Sequence, residues 1–314
     1  MPGEQRRFAG GKDDAYLKTI TLKTVELPNG ETIAYRNRPG GEKTLILVHG
    51  NMTSSKHWDL VLENMDESFT LYAIDLRGFG ESSYHQKIFT LKDFADDIKH
   101  WVDALGLSDF SMMGWSTGGG VALQFAIDNP GYANSLVLLE SVSTRGYPCY
   151  GINELGMPDF RQRFTTYAQI KADAIRVIPT QAAYDQKNRE YLKAVWNAVI
   201  YHHHQPEPWR YEEYVDDMLT QRNYAEVIHA LNVFNISAIE NDAAKGTNQA
   251  KEIKVPVLVL RGEHDMVVSA NMTQEIIDDL GENAKFIELK NCGHSPLVDD
   301  LGQLLGVITD FLNI

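Results

Sequence analysis

The sequence predicts an α/β fold in which helices flank a mostly parallel sheet. Apolar strand patterns alternate with helical patterns in both terminal parts of the chain, and this alternation is typical of parallel sheets with sites at the carboxyl ends of the strands. An aromatic-rich segment, residues 145–249, interrupts it. We expect a helical cap (or lid) there, inserted into one core domain of residues 1–144 and 250–314. A chain of 314 residues, 43% of them hydrophobic, is long enough for both.

The predicted core elements follow one another in a regular order. Residues 20–37 indicate an antiparallel hairpin that turns at Pro28-Asn29-Gly30. The next predicted elements are strand 44–48, helix 57–64, strand 69–75, helix 91–104 and strand 110–113. Another strand follows at 135–140. Two further strands begin near Val255 and Ala284. Within the insertion, residues 190–201 and 225–238 have helical spacing.

A serine lies in a glycine-rich turn between a predicted strand and a predicted helix. The residues from Gly114 to Gly118 read GWSTG and fit the G-x-S-x-G pattern, in which the two glycines relieve collisions at a sharp turn. The turn places Ser116 at a helix N-terminus, where free N–H groups favour developing negative charge. The alternative is an incidental serine in a glycine-rich turn, since five-residue matches also arise by chance.

Two further residues complete a candidate catalytic triad. A serine hydroxyl is a poor nucleophile unless a base takes its proton and an acid orients that base. Asp265 comes just after one late strand, and His294 lies in the loop after the next. We therefore predict Ser116, Asp265 and His294 as the triad, in the chain order serine, acid, histidine. Glu140, at the end of an earlier strand, is the alternative acid.

Backbone N–H groups near the serine are candidates for an oxyanion hole, which needs two donors aimed at one point. Thr117 follows the nucleophile, and Asn51, with Met52 behind it, follows the apolar strand that ends at His49-Gly50. We predict Thr117 and Asn51 as the donors. We expect His49 to hydrogen-bond loop backbone and hold the turn in shape. In the next strand-end loop we expect Asp75 and Arg77 to pair.

The sequence predicts no metal site and no cofactor. His202, His203 and His204 are consecutive, but adjacent side chains point in different directions, and no carboxylate or cysteine stands at ligand spacing. We interpret them as a solvated polar patch. Two cysteines, Cys149 and Cys292, cannot form a disulfide framework, which favours a reduced compartment.

Charge and hydropathy restrict the partners. The net charge of −14 argues against nucleic acid and against a strongly anionic substrate, although a local site can differ from the whole surface. No apolar run is long enough to span a membrane, and residues 1–14 resemble neither a secretory signal nor a lipidation site. We therefore expect a cytoplasmic protein. The sequence does not indicate its oligomeric state.

Five motifs carry a resemblance to a known superfamily. They are HGNMTSSKHW at residues 49–58, DLRGFGES at 75–82, GWSTGG around Ser116, RGEHDMVV around Asp265 and NCGHSP around His294. With these motifs in this order, the chain from about Thr19 onward resembles α/β-hydrolases with a cap domain. The GWSTGG box also resembles intracellular polyhydroxybutyrate depolymerases of bacilli.

The resemblance implies hydrolysis but leaves several reactions open, because this fold hosts many chemistries. The stretch at 49–58 is similar to haloalkane dehalogenases, whose nucleophile is an aspartate, and Ser116 departs from that pattern. We therefore expect a serine esterase that acts through an acyl-enzyme on a small ester with an apolar, uncharged body. The alternatives are a lactonase or depolymerase of 3-hydroxybutyrate oligomers, a carbon–carbon hydrolase or perhydrolase, and a non-enzymatic ligand receptor.

Overall fold

A computed structural model describes residues 19–313. The expectations for residues 1–14 and for the first part of the core domain concern residues outside this range. Within it, no helix combines the length and the apolar character that crossing a membrane requires.

Ten strands occur in residues 19–313, and eight of them form one sheet. Their bounds are β1 Thr21–Glu26, β2 Thr32–Arg38, β3 Lys43–Val48, β4 Phe69–Ile74, β5 Phe110–Trp115, β6 Ala133–Leu139, β7 Tyr150–Ile152, β8 Pro158–Arg163, β9 Val257–Gly262 and β10 Ala284–Leu289. The large sheet has the order β1-β2-β4-β3-β5-β6-β9-β10. Only the pairs β1–β2 and β2–β4 are antiparallel among its described strands. The predicted mostly parallel sheet is confirmed.

The helices lie on both faces of this sheet and above it. Their bounds are α1 Asp59–Asn64, α2 Leu91–Leu105, α3 Thr117–Asp128, α4 Tyr167–Lys171, α5 Val177–Asp185, α6 Arg189–Val199, α7 Pro208–Met218, α8 Tyr224–Val233, α9 Ala270–Leu280, α10 Pro296–Asp299 and α11 Leu301–Leu312. The predicted helix 57–64 is a 3₁₀ turn, Ser55–Trp58, that leads into α1. The helix predicted at 91–104 is α2, which starts at a capping box of Thr90 and Asp93.

Alternation along the strands divides the core into two layers. In β3, Ile46 and Val48 belong to the cluster that packs against α2 and α3, whereas Leu45 and Leu47 belong to the cluster on the other face. This period of two is what a strand buried on both sides requires. The sheet is therefore packed on both faces, and this packing holds the strand ends that carry the loops.

The insertion between β6 and β9 contains α4 to α8 and also a two-stranded antiparallel hairpin, β7–β8. The expectation of an all-helical insertion missed this hairpin. Its turn follows from Asn153, whose side-chain oxygen accepts hydrogen bonds from the N–H groups of Leu155 and Met157, and from Gly156 at a φ of 73°.

One predicted helix boundary and one predicted ion pair are wrong. The helix predicted at 225–238 ends at Val233, because Asn235 accepts from the N–H of Ser237 and so competes with the helical pattern. Arg77 pairs with Asp97 at 2.6 Å and not with Asp75. The carboxylate of Asp75 instead accepts backbone N–H groups of Ser55 and Glu81.

Helix α7 attaches the insertion to the core. Arg210 on α7 donates to Glu63 on α1 at 2.9 Å, and the buried imidazole of His57 lies 3.0 Å from the carboxylate of Asp217. Because these partners come from both parts of the chain, the insertion is fixed above the carboxyl ends of the strands.

Candidate active site

Ser116 occupies a strained turn between β5 and α3. Its backbone has φ 55° and ψ −116°, a conformation that costs energy in a residue with a side chain and recurs at functional sites. The turn is fixed because Ser116 N–H donates to Leu139 O at 2.9 Å and Ser116 O accepts from Gly119 N–H at 3.0 Å. The serine is thereby held at the N-terminus of α3.

Three glycines allow the chain to approach closely at this turn. A Cβ at Gly114 would lie 2.2 Å from Gly118 O, and one at Gly118 would lie 2.2 Å from Val48 O. A Cβ at Gly50 would lie 3.1 Å from the Cβ of Ser116. The loop after β3 therefore lies directly beside the serine.

His294 and Asp265 meet at the same edge of the sheet. His294 Nδ1 lies 2.9 Å from Asp265 Oδ2, and both residues are buried. Asp265 Oδ1 accepts the N–H groups of Val267 at 2.6 Å and Val268 at 3.0 Å. Trp115 Nε1 donates to His294 O at 2.8 Å, which ties the histidine loop to the serine turn. With Nδ1 engaged, Nε2 is the nitrogen left for a serine hydroxyl.

Glu140 lies behind this pair. Its Oε1 accepts from Gly262 N–H at 2.5 Å, and ligand atoms of Glu140, Asp265 and His294 lie within 4.8 Å of one another. Complete burial, together with the neighbouring Asp265, raises the pKa of Glu140 well above its ordinary value. Burial alone would raise the pKa of Asp265, but the charge and hydrogen bond of His294 outweigh it and hold that pKa well below its usual range. Asp265 is thus the ionised carboxylate that contacts the histidine.

The geometry distinguishes the two backbone groups after Gly50. Met52 N–H donates to the side-chain oxygen of Gln221 at 3.1 Å, so it is already satisfied. Gln221 Nε2 donates to the side-chain oxygen of Asn51 at 2.7 Å, so the same glutamine also holds the residue that follows Gly50. Thr117 is the first residue of α3, where a helix leaves N–H groups unpaired.

A cavity of about 230 Å³ connects these groups with the insertion. Ser116, His294, Asn51 and Thr117 line its floor, and the walls are mostly apolar and aromatic. The residues of the insertion that line it are Tyr147, Arg176, Val195, Trp196, Val199, Ile200, Tyr224, Ile228 and Leu231. The sequence predicted a pocket of this kind but could not select its members.

The expected roles of the remaining polar residues can be compared with their contacts. His49 Nε2 accepts from Leu76 N–H at 2.9 Å and its Nδ1 lies 2.7 Å from Gly50 O, which confirms its role in the loop. Burial lowers the pKa of His49 to about 4, so it stays neutral. Burial raises the pKa of the Cys292 thiol to about 12, which suits packing rather than nucleophilic attack.

The histidine run lies at the contact between insertion and core. His204 Nδ1 is 3.4 Å from Asp299, and a Cβ at Gly293 would lie 2.8 Å from His202. In the described part of the chain, the group of possible metal ligands that comes together is Glu140, Asp265 and His294, and the run is not part of it.

Sequence reasoning missed two residues of the insertion. Gln221 reaches across to the loop after β3, and Arg176 brings a cation to the cavity wall. A buried glutamine between two helices leaves no recognisable pattern in the sequence. Arg176 is one of several arginines and lysines of the insertion, so nothing in the sequence distinguishes it from the others.

Comparisons with known proteins identify the family of the fold. The sequence profile of the alpha/beta hydrolase fold family matches residues 43–301. A 2-hydroxy-6-oxononadienedioate/2-hydroxy-6-oxononatrienedioate hydrolase of Paraburkholderia phymatum is 24% identical over 305 residues, which are 95% of this chain and 97% of that protein.

Solved structures show the same fold. An esterase from Exiguobacterium antarcticum superposes with a TM-score of 0.71 at 15% identity and covers 94% of this chain and 100% of its own. An enol-lactonase from Burkholderia xenovorans superposes with a TM-score of 0.65 at 19% identity, over 93% of this chain and 100% of its own. The expected fold class is confirmed.

Proposed function

Because the chain belongs to the alpha/beta hydrolase fold family of enzymes, we propose that it is a serine hydrolase of carboxylic esters that acts through Ser116, His294 and Asp265. The observation that carries the proposal is the buried Asp265–His294 hydrogen bond, at 2.9 Å, beside a serine held on a strained strand-to-helix turn. The residues 145–249 are proposed as the cap and the remainder as the core.

The proposed reaction has two halves. Ser116 Oγ attacks the ester carbonyl while His294 Nε2 takes the hydroxyl proton, and the resulting oxyanion accepts N–H groups of Asn51 and Thr117. His294 then gives that proton to the leaving alcohol, and an acyl-enzyme remains. Water, deprotonated by the same histidine, attacks the acyl-enzyme and releases the acid and Ser116.

The carboxylate of Asp265 keeps the proton of His294 on Nδ1 throughout this cycle. Its own hydrogen bonds from Val267 and Val268 fix its orientation. Since its pKa is held low, it remains ionised when the histidine becomes positive, and it stabilises that positive charge.

A second candidate is carbon–carbon bond hydrolysis on the same residues. It is favoured by the name of the Paraburkholderia phymatum relative, which is 24% identical over nearly the full length of both proteins. Cleavage of 3-hydroxyalkanoate oligomers remains a narrower form of the ester proposal, and it rests on the GWSTGG box alone.

A substrate panel tests the proposal. We expect wild-type protein to hydrolyse chromogenic short-chain esters or 3-hydroxybutyrate oligomers, and the Ser116→Ala variant to lose about 10⁶-fold in kcat while its thermal unfolding stays unchanged. Near-normal ester turnover by Ser116→Ala would contradict the assignment. Turnover confined to a carbon–carbon substrate would favour the second candidate.

A further inference from the structure

The cavity above Ser116 has an unusual charge balance for this chain. The whole sequence carries a net charge of −14. Among the described residues that line the cavity there is no aspartate, glutamate or lysine, and Arg176 is the one side chain with a permanent charge. A site for uncharged esters would not need a cation in an apolar wall, where burying an unpaired charge is costly.

The contacts of Arg176 leave its charge without an acidic partner. Its Nη1 donates to Cys149 Sγ at 3.3 Å, and its guanidinium carbon lies 5.8 Å from the centre of the Tyr147 ring. No carboxylate of residues 19–313 forms an ion pair with Arg176, in contrast to Arg210 on α7, which pairs with Asp59 and Glu63. A neutral thiol and a ring face hold the side chain in position but do not neutralise it.

Asp173, near in sequence, attracts the guanidinium of Arg176 and helps to raise its pKa, but it forms no ion pair with it. Its Oδ1 accepts the backbone N–H groups of Ile175 and Arg176 at 2.9 and 3.1 Å, so the carboxylate caps the turn before α5. It contributes to a neighbouring cavity and not to the one above Ser116. The guanidinium is therefore available to an anion that enters from outside the chain.

Arg176 also lines a second cavity, which adjoins the first. The second cavity, of about 290 Å³, shares Tyr147, Arg176 and Val267 with the one above the serine. The cavity above the serine is lined mainly by apolar side chains, among them Val142, Ile228 and Leu231. A ligand that fits has an apolar middle section with a reactive carbonyl at one end and an anionic group at the other.

We propose that Arg176 binds a free carboxylate of the substrate, so that the enzyme cleaves esters that carry an ionised carboxyl group on either the acyl or the alcohol part. This inference rests on the proposed function and differs from the expectation of an uncharged substrate body. A guanidinium matches a carboxylate with two parallel hydrogen bonds. A 3-hydroxyalkanoate oligomer, with its terminal carboxylate, is one ester of this class.

Matched ester pairs test the proposal. On the acyl side, mono-4-nitrophenyl glutarate replaces the terminal methyl group of 4-nitrophenyl valerate with a carboxylate. On the alcohol side, 4-acetoxybutanoate replaces the terminal methyl group of butyl acetate with a carboxylate. We expect wild-type kcat/KM to favour the acid ester in at least one pair, and Arg176→Met to reduce that preference about 10- to 100-fold.

Two variants control for other effects of the substitution. Arg176→Lys keeps the charge and should retain part of the preference. Lys171→Met removes an exposed cation of the insertion that lies outside the cavity, and it should leave the preference at the wild-type value. An unchanged preference in Arg176→Met, or an equal loss in Lys171→Met, would overturn the proposal.

Binding to a protein that cannot turn over separates this proposal from the proposed function. Calorimetry with Ser116→Ala should show tighter binding of monomethyl glutarate than of methyl valerate, and Arg176→Met should abolish the difference. Binding preference without hydrolysis of any ester would overturn the ester hydrolase and support the carboxylate site. Hydrolysis without any preference would overturn the carboxylate site and support the hydrolase.

Discussion

The carboxyl edge of the sheet and the insertion above it contribute to the site in different ways. The sheet edge holds Ser116, Asp265 and His294 on short loops whose backbone is fixed by strand-to-strand contacts. The insertion supplies walls, one cation and one glutamine, all on helices or on the segments between them. In the proposed function, the first region breaks the bond and the second selects the molecule that reaches it.

The two regions are also held in place by different kinds of contact. Ser116 and Glu140 both have positive φ values at the ends of adjacent strands. Such conformations persist only when the surrounding structure fixes them. The insertion instead relies on side-chain contacts such as Gln221 to the loop after β3, which substitutions can remove without breaking the sheet.

After Ser116→Ala, the largest expected effect within the sheet edge is that of Asp265→Asn. The amide favours the wrong histidine tautomer, so kcat should fall about 10⁴-fold. Steady-state ester kinetics, with thermal unfolding as the control for folding, measure this. A loss smaller for Asp265→Asn than for Glu140→Gln would move the acid to Glu140.

A contact between the two regions should have an intermediate effect. Gln221→Leu removes both hydrogen bonds to the loop of Asn51 and Met52, so one oxyanion donor is misplaced and kcat should fall about 10- to 100-fold with a smaller change in KM. Tyr184→Phe is the matched control, because its hydroxyl donates to Gln221 but not to the loop. Equal losses in the two variants would show that Gln221 acts only through the packing of the insertion.

Within the insertion, Ile228→Trp should change selectivity more than rate. Ile228 lines the cavity, so a larger side chain should lower the ratio of kcat/KM for hexanoate over acetate esters about tenfold. Ile178→Trp is the control, since Ile178 is half exposed and lies outside the cavity. An unchanged ratio in Ile228→Trp would mean that the acyl chain lies elsewhere.

The smallest effect is expected for Glu140→Gln. Burial and the neighbouring Asp265 raise the pKa of Glu140 well above its ordinary value, and the glutamine amide can replace a protonated carboxyl group as a donor to Asp265. We expect kcat within about threefold of wild type.

Glu140 also predicts how stability depends on pH. The folded wild type binds the proton of Glu140 more tightly than the unfolded chain does, so its stability decreases as pH rises above the ordinary pKa of 4.5. Unfolding curves at pH 5 and pH 8 should show the variant gaining stability relative to wild type, and a relative loss would contradict the protonated state.

The sequence was sufficient for most of the sheet edge. Strand-end motifs predicted the positions of Ser116, Asp265 and His294, because a turn that needs glycine at 114 and 118 leaves a clear pattern. The sequence also predicted that His49 hydrogen-bonds to loop backbone, as it does. The predicted ion pair of Asp75 with Arg77 does not form, because each side chain contacts a partner that is distant in sequence.

The insertion could be predicted only in outline. Its aromatic residues are suited equally to packing and to lining a pocket, so the sequence could not separate Trp196, which lines the cavity, from Tyr211, which does not. The positions of Gln221 and Arg176 depend on how helices far apart in sequence pack together. Such contacts follow from tertiary structure and leave no local pattern.

Covalent labelling of Ser116 tests the central claim most directly. A fluorophosphonate reacts with a serine activated by a histidine base, so intact-protein mass spectrometry should show one adduct per chain, and peptide mapping should place it on Ser116. The adduct should be absent in Ser116→Ala and should form far more slowly in His294→Ala. Labelling of another residue, or equal labelling of all three proteins, would contradict the account.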